Sequence, residues 1–439
     1  MYGYSISKKG ILTNNYYKKL GYYEEPEPLG AYIMIRKIGK EIWLNQDYNG
    51  SFGIYIYENK NTGYFAISNS FLLLEEYLKG KYKLTFNKDY ADNFIISGLC
   101  TPSIYETMVK EIICLPSNVF LVINIQNHSY KSHYFDYKEN SVPLESDEGL
   151  RIIDKWVDKW GFILRSLKKK TDFSTDLSGG FDTRVILAIL LNSGININDL
   201  LVRTIIDKKY THEEDFEIAN NISSKFGIKL NKYNIDSNGT KLKAEDALLG
   251  TIYTKLGFHK EFYTATKFFT KPRFRVAGQG GEVIRGFNNQ PFEKYAYEIS
   301  SQGKDIKGHE KEFYNSSMRL LKRSMDLLKK KKTYYEQNEI SSDLYSMTMN
   351  RYHFGKAAVE NFLINSYTLQ PMIDPDIRQI RIDFNEEHQK DLIAYIYVRL
   401  SHDLIYFPFQ GKRVLSYESI KKAEKLKTKL SPYRIKLNY

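Results

Sequence analysis

The sequence predicts two domains: an α+β domain with layered sheets, then an α/β domain with a parallel sheet and a helical C-terminal part. Short strand-like runs separated by turn clusters fill residues 1–138. Strand-like and helix-like runs then alternate from residue 149, and apolar residues with helical spacing prevail from 288 to 439. A chain of 439 residues is also too long for one ordinary hydrophobic core.

The first domain, residues 1–138, is expected to be a sheet domain with helices packed on it. The strand-like runs of this domain are residues 31–35, 52–57, 64–67 and 119–125. Residues 69–78 and 89–97 have the pattern of helices and lie between these runs.

The second domain, residues 149–439, follows a polar segment, residues 136–148, which we interpret as a linker. Its first helix carries an apolar stripe with i, i+3, i+4 spacing from Ile152 to Leu167, which indicates core packing. Strand-like residues 172–176, 200–206 and 229–235 then alternate with helices. This order predicts a parallel sheet with right-handed crossovers, and ligands bind at the carboxyl ends of such strands.

Composition excludes several classes of protein. The chain has no apolar run of 18 residues and no apolar signal core near Met1, so no membrane interaction is expected. Its two cysteines, Cys100 and Cys114, have no metal-type spacing, which fits a reducing cytoplasm. The eight histidines show no metal-ligand spacing, and no Ser-His-Asp pattern supports a hydrolase. The formal charge of +12 leaves polyanionic partners open.

Residues 177–184, with the sequence Leu-Ser-Gly-Gly-Phe-Asp-Thr-Arg, lie between a strand-like run and an apolar helix. A glycine turn that opens a helix suits an anion, because backbone N–H groups and the helix dipole both face the anion. A carboxylate such as Asp182 would repel an anion at this place unless a cation such as Mg²⁺ bridges it to the phosphate. The candidate nucleotide-binding residues are therefore Leu177, Ser178, Gly179, Gly180, Asp182 and Thr183.

A second glycine cluster follows the strand-like run at residues 274–277. Three glycines within four positions, Gly278, Gly280 and Gly281, indicate close approach of the backbone or unusual dihedral angles. Glu282 comes directly after this cluster.

The string S-G-G-x-D-T resembles the pyrophosphatase-type loop of the asparagine synthetase-like ligases. This resemblance implies an ATP-pyrophosphatase domain of the adenine nucleotide α hydrolase type, preceded by an Ntn-like, glutaminase-like domain. By position, Ala277 and Gly278 would line the adenosine of ATP, and Glu282 would hold Mg²⁺ together with Asp182. Lys412, which follows a helical segment near the C-terminus, would stabilise negative charge during the reaction.

Several positions depart from the family pattern. Glu282 stands where the family mostly has Asp, but it is still a hard oxygen ligand. Tyr2 stands where the glutaminase needs a cysteine, and a phenol is a poor nucleophile at neutral pH, so no glutamine hydrolysis is expected. Gln279 replaces the Glu or Tyr that helps to deprotonate the attacking amine in relatives, and an amide cannot act as a base. Leu369 stands where the family's turn before Pro371 and Asp374 usually has Arg.

The function predicted from this resemblance is an AMP-forming ligase that adenylates a carboxylate and transfers the acyl group to an amine. Its partners would be small-molecule, glycan or peptide acids and amines. Two alternatives remain: a tRNA-modifying ligase with the same loop, which the basic charge favours and the first domain disfavours, and an ATP-binding protein with reduced catalysis. A conventional glutamine-dependent asparagine synthetase is disfavoured by Tyr2.

Overall fold

The structure is a computed structural model that describes residues 1–21, 26–97, 102–135, 142–205, 213–233, 240–241, 264–265, 269–284, 291–301, 308–329, 337–381 and 386–429. It is a mixed α/β structure with antiparallel sheets in its N-terminal part and a parallel sheet later. Within the described part of the chain, no helix is long and apolar enough to cross a membrane.

The N-terminal part contains two antiparallel sheets. Its elements are β1 (Tyr2–Ser7), β2 (Gly10–Thr13), α1 (Asn14–Lys19), β3 (Gly30–Ile38), β4 (Glu41–Gln46), β5 (Tyr55–Asn59), β6 (Tyr64–Ser68), α2 (Phe71–Leu78), α3 (Lys88–Ser97), β7 (Ile112–Cys114), β8 (Val119–Asn124) and β9 (Ser129–Tyr134). Six strands have the order β2-β1-β3-β4-β8-β9, and three have the order β6-β5-β7. The strands and helices predicted here are confirmed, with bounds that differ by a few residues.

The second part begins within the segment interpreted as a linker. Residues 136–141 lie outside the described residues, but β10 (Val142–Pro143) pairs in parallel with β18 (Ile380–Arg381). Ser146 then caps α4 (Asp147–Lys168), since its hydroxyl accepts a hydrogen bond from the backbone of Gly149. The predicted apolar stripe of α4 is confirmed, because nearly all of its members are buried.

A five-stranded parallel sheet forms the centre of the second part. Its elements are β11 (Ser174–Asp176), α5 (Phe181–Asn192), β12 (Leu201–Ile205), α6 (Glu213–Phe226), β13 (Leu230–Tyr233), β16 (Arg273–Val276), α7 (Gly281–Ile284) and β17 (Ser366–Leu369), with the short pair β14 (Thr240–Lys241) and β15 (Thr264–Ala265) apart from it. The strand order is β13-β12-β11-β16-β17. The order reverses between β11 and β16, which is where parallel sheets open a crevice for ligands.

The C-terminal part is mostly helical, as predicted. It contains α8 (Phe292–Ser301), α9 (Glu310–Lys329), α10 (Gln337–Met349), a π-helix (Asn350–Gly355), α11 (Lys356–Leu363), α12 (Glu386–Leu400) and α13 (Tyr417–Lys429). One departure from the prediction is β17, which adds the edge strand to the parallel sheet. Its four residues are too few to show a period, and its pairing partner lies almost a hundred residues earlier in the chain.

The two parts are joined by buried contacts. Tyr4 of β1 donates a hydrogen bond of 2.9 Å to the carbonyl of Thr368 in β17, and its ring contacts Tyr367. Arg351 of the π-helix is buried and donates to the carbonyls of Ile104 and Leu115 in the N-terminal part. These contacts hold the π-helix and the edge of the parallel sheet against the antiparallel sheets.

A buried acidic residue anchors the turn that follows β17. Asp374 is fully buried and accepts hydrogen bonds from Lys159 and from the indole of Trp160, both on α4. Burial raises the pKa of the Asp374 carboxyl, while the charge of Lys159 opposes that rise. This is a structural role for the Pro371–Asp374 turn, and Leu369, at the position of the family's usual Arg, is a buried apolar residue at the end of β17.

We expect Asp374→Ala to destabilise the fold by about 3–5 kcal/mol, because it leaves Lys159 and Trp160 without their buried acceptor. Asp376→Ala is the matched control: Asp376 binds the same lysine at 2.7 Å, but its side chain is 49% exposed. The control should cost less than about 1 kcal/mol. Urea unfolding followed by tryptophan fluorescence measures both; equal costs would contradict this prediction.

A buried amine should make stability depend on pH. Lys356 of α11 is buried, and burial lowers its pKa to about 8, although Glu360 at 3.1 Å opposes that shift. The unfolded chain therefore binds one more proton than the folded chain between pH 8 and the ordinary pKa of 10.5, so stability rises with pH in that window.

Relative to Lys356→Met, the wild type should gain up to about 3 kcal/mol of unfolding free energy across this window. The measurement is urea unfolding of both proteins at intervals of half a pH unit from pH 7 to 10. Parallel stability curves for the two proteins would refute the prediction.

Candidate functional site

A cleft of about 410 Å³ lies at the carboxyl ends of the neighbouring strands β11 and β16, where the strand order reverses. The loops that follow these two strands carry the two glycine clusters. The predicted residues that line the cleft are Leu177, Ser178, Gly180, Asp182, Thr183, Ala277, Gly278 and Glu282. The tertiary structure thus brings together two motifs that lie about a hundred residues apart in the sequence.

Hydrogen bonds to its own hydroxyl groups fix the conformation of the first loop. The side-chain oxygens of Ser178 and Thr183 lie 3.0 Å apart, and Thr183 also accepts a hydrogen bond from the backbone of Ser178. The Ser178 hydroxyl accepts a further bond of 3.1 Å from the backbone of Gly180. Gly180 is the N-cap of α5, so the loop directs the start of a twelve-residue helix at the cleft.

Gly179 of the same loop lies against α6 and does not line the cleft. A Cβ atom on Gly179 would lie 2.5 Å from the Asp215 carboxylate, so no side chain fits there. The first turn of α6, which contains Glu213, Glu214 and Asp215, therefore packs under the glycine loop. Acidic side chains are favourable at the N-terminus of a helix.

The second loop packs directly onto the first. A Cβ atom on Gly278 would lie 2.7 Å from the Asp182 carbonyl carbon, and one on Gly281 would lie 2.0 Å from the Asp182 carboxylate. Gly280 has a positive φ of 93° and abuts Ile373. The glycines of the second cluster thus serve close approach to Asp182 and an unusual dihedral angle, as their spacing predicted.

Two of the carboxylates in the cleft could hold a divalent cation. Asp182 lies in the first turn of α5 and Glu282 in the first turn of α7, and both line the same cleft. Among the described residues no group of three or more His, Cys, Asp and Glu could hold a metal ion. Two carboxylates are nevertheless a fitting donor set for Mg²⁺, which takes its other ligands from phosphate and water.

An ion triplet that the sequence analysis did not identify lies beside the glycine loop. Asp176, the last residue of β11, accepts a bond of 3.0 Å from Arg203 of β12 and one of 2.7 Å from the Nε of Arg275 of β16. All three side chains line the cleft. The neighbouring strands place two guanidinium groups and one carboxylate there, which leaves a net charge of +1 at this wall.

A buried arginine connects the glycine loop with the C-terminal segment. Arg184 is fully buried and donates to the carbonyls of Gly179 (3.1 Å), Phe407 (3.0 Å) and Pro408. Its guanidinium also lies 4.1 Å from the ring centroid of Phe409. Burial lowers the pKa of the Arg184 guanidinium to about 10, against the opposing effects of Tyr397 and Asp215.

Backbone hydrogen bonds attach the same segment from the other side. The Gln410 amide donates to the carbonyl of Gly179 at 3.2 Å, and the Gly411 amide donates to the Glu214 carboxylate at 3.0 Å. The segment predicted to carry a catalytic lysine therefore lies against the glycine loop. The side chain of Lys412 itself lies outside the described residues, so its role stays a prediction.

Several residues of the cleft come from segments without a chemical motif. Arg203, Thr204 and Ile205 belong to β12, and Met349, His353 and Phe354 belong to α10 and the π-helix. Arg203 and Arg275 lie near the carboxyl ends of predicted parallel strands, and that position could have marked them as candidates. The residues of the π-helix had no such signal, because their place in the cleft depends on the packing of the C-terminal part.

A scan against models of protein families finds no match to this chain, and a search among curated proteins finds no significant match. The arrangement of the cleft therefore carries the functional argument.

We expect Arg184→Lys to release the 407–411 segment, because one ammonium group cannot replace a guanidinium that binds three separate carbonyls. Amide hydrogen exchange of the peptide covering these residues should become at least about tenfold faster, equivalent to about 1.4 kcal/mol of lost protection. Arg413→Lys is the matched control, because Arg413 donates to the Gln410 carbonyl but is exposed. Similar exchange in both variants would contradict the prediction.

Proposed function

We propose that the protein is an ATP-dependent, AMP-forming ligase of the asparagine synthetase-like type, which adenylates a carboxylate and transfers the acyl group to an amine. The observation that carries the proposal is the meeting of the two glycine clusters around Asp182 in one cleft. The order of the sheet supports it, because the cleft lies at the point where strand order reverses.

The finer fold assignment is part of this proposal. The five-stranded sheet would be an ATP-pyrophosphatase domain of the adenine nucleotide α hydrolase type. The two antiparallel sheets would be an Ntn-like, glutaminase-like domain without glutaminase activity. The ring of Tyr2 lies 5.1 Å from that of Phe52 and 5.6 Å from that of Phe362, which supports a packing role for the residue at the nucleophile position.

In this proposal the glycine loop binds the phosphate chain of ATP. The N–H groups of the first turn of α5 would donate to phosphate oxygens, because the amides of Ser178 and Gly180 already donate to hydroxyls within the loop. Ser178 and Thr183 share one hydrogen bond between their hydroxyls, which leaves one hydroxyl proton for a phosphate oxygen. Ala277 and Gly278 would line the adenosine, since neither has a side chain large enough to block a ring.

Asp182 and Glu282 would hold Mg²⁺, which supplies charge neutralisation for the pyrophosphate when bound. The residues fit such an ion, because both are hard oxygen ligands on neighbouring strand-end loops. Attack of the substrate carboxylate on the α-phosphorus would then break the bond to the β-phosphate and form an acyl-adenylate. The amine would displace AMP in a second step, with Lys412 as the predicted partner of the developing negative charge.

The ion triplet gives the acid substrate a place to bind in this scheme. Asp176 fixes the orientation of Arg203 and Arg275, and bidentate guanidinium groups suit a carboxylate. The triplet's net positive charge would offset part of the repulsion between the substrate carboxylate and the phosphates.

The test of the function is the identity of the nucleotide product. The protein is mixed with ATP, Mg²⁺, a small-molecule extract of its host and hydroxylamine as a trap. AMP and pyrophosphate are expected, together with a hydroxamate that identifies the acid. ADP and phosphate would overturn the mechanism, and bound but unchanged ATP would favour a protein that binds ATP without catalysis.

Both Asp182→Ala and Gly281→Ala should reduce AMP formation by about 100-fold or more, a loss of about 2.7 kcal/mol in transition-state stabilisation. The first removes the proposed metal ligand, and the second drives a methyl group into the Asp182 carboxylate. Gly161→Ala in α4 is the control, because its Cβ would meet nothing closer than 3.6 Å. Full AMP-forming activity of Asp182→Ala would contradict the proposal.

A further inference from the structure

The proposed function requires a group that takes a proton from the attacking amine, and the inference below rests on that function. Gln279 lies in the cleft at the position that the resemblance connects with this task, but an amide cannot serve as a base. Its side-chain oxygen is also engaged, because Gln370 donates to it at 2.6 Å. Another side chain of the cleft must therefore accept the proton.

The four carboxylates among the described residues of the cleft have other partners or roles. Asp176 is paired with Arg203 and Arg275. Asp215 packs under Gly179 and interacts with the charge of Arg184. Asp182 and Glu282 would both be bound to Mg²⁺, and a metal-bound carboxylate is a weak base.

We propose that His353 is the catalytic base that deprotonates the amine. It is the one imidazole among the described residues that line the cleft, and its side chain is half-buried. Gln370, which donates to Gln279, also donates to the carbonyl of Phe354 at 3.2 Å. One amide therefore connects Gln279 with the backbone of the residue next to His353, and Gln279 and His353 line the same cleft.

The backbone around His353 is unusual and held from several sides. Residues Asn350–Gly355 form a π-helix between α10 and α11, and such turns are frequent at functional sites because they re-aim one side chain. A Cβ atom on Gly355 would lie 2.8 Å from the Ser51 hydroxyl, so the turn presses against the N-terminal part. Phe354 packs in a small buried cluster with Tyr48 and Ile373.

Arg351 holds the π-helix in place from within the N-terminal part. Besides the carbonyls of Ile104 and Leu115, its guanidinium donates to the Cys114 sulfur at 3.3 Å. In this proposal the N-terminal part orients the turn that carries the base.

The proton transfer is a simple acid–base step. The amine nitrogen forms a bond to the acyl carbon, the bond from that carbon to the AMP oxygen breaks, and one N–H proton passes to an imidazole nitrogen of His353. An imidazole is suited to this role, because its neutral form has an unprotonated ring nitrogen that can accept a proton. AMP leaves with the electron pair of the broken bond.

The experiment compares the wild type with His353→Gln and separates adenylation from the transfer of the acyl group to the amine. Each protein receives ATP, Mg²⁺ and the dialysable host extract, once alone and once with hydroxylamine, and AMP is measured. Hydroxylamine is a strong nucleophile with a weakly basic nitrogen, so it needs little help from a base. His353→Gln should form AMP at least about tenfold more slowly than the wild type in the extract alone and at a near-normal rate with hydroxylamine.

The other outcomes overturn the inference in distinguishable ways. Equal rates of wild type and variant in the extract alone would exclude His353 as the base. A variant that stays inactive with hydroxylamine would assign His353 to adenylation or to folding. No AMP from the wild type under either condition would refute the proposed function and this inference with it.

A second variant tests the chemistry independently of the fold. His353→Ala should regain part of its AMP formation when free imidazole is added, because the small base can enter the space left by the side chain. Added imidazole should not restore Asp182→Ala, which lacks the proposed metal ligand. Absence of rescue in His353→Ala, with a folded protein by circular dichroism, would contradict the assignment.

Discussion

Close contact between two strand-end loops is the constraint on which the candidate site depends. The loop after β16 passes over the first turn of α5 so closely that a single methyl group on Gly278 or Gly281 would collide with Asp182. Because both loops leave adjacent parallel strands, the sheet itself sets their separation. The position of the cleft therefore follows from the strand order. Glycine is required at these positions because the two loops leave no room for a Cβ atom.

The same arrangement explains why charge accumulates at this edge of the sheet. Parallel strands end together, so Asp176 and Arg203, which pair in register across β11 and β12, reach the cleft side by side. Arg275 on the opposite neighbour reaches the same carboxylate. The triplet holds three charged groups in a partly buried place where any one of them alone would be costly.

The outer parts of the chain support this centre by buried polar contacts. Arg184 connects the 407–411 segment to the carbonyl of Gly179 on one side of the loop. Arg351 connects the π-helix to the N-terminal part on another side. Each guanidinium binds several carbonyls at once, which fixes the relative position of segments that are distant in the sequence.

Much of the fold could be predicted from the sequence, because periodicity is local. The stripe of α4 and the alternation of β11, α5, β12, α6 and β13 follow from the spacing of apolar residues within each segment. The strand β17 escaped prediction, since a four-residue strand has no period and owes its existence to pairing with β16.

The sequence by itself indicated the glycine loop with Asp182, because the residue types and spacing of a strand–turn–helix anion site are constrained by short-range geometry. Glu282 was singled out by the family resemblance. Only the tertiary structure decided that Arg203, Arg275 and His353 share a cleft with them. Those side chains reach the site through strand register and through a π-helix clamped by Arg351. The two arginines had a weak local signal, since both lie near the carboxyl ends of predicted strands. His353 had none, because its place in the cleft depends on long-range packing that leaves no pattern in the neighbouring residues.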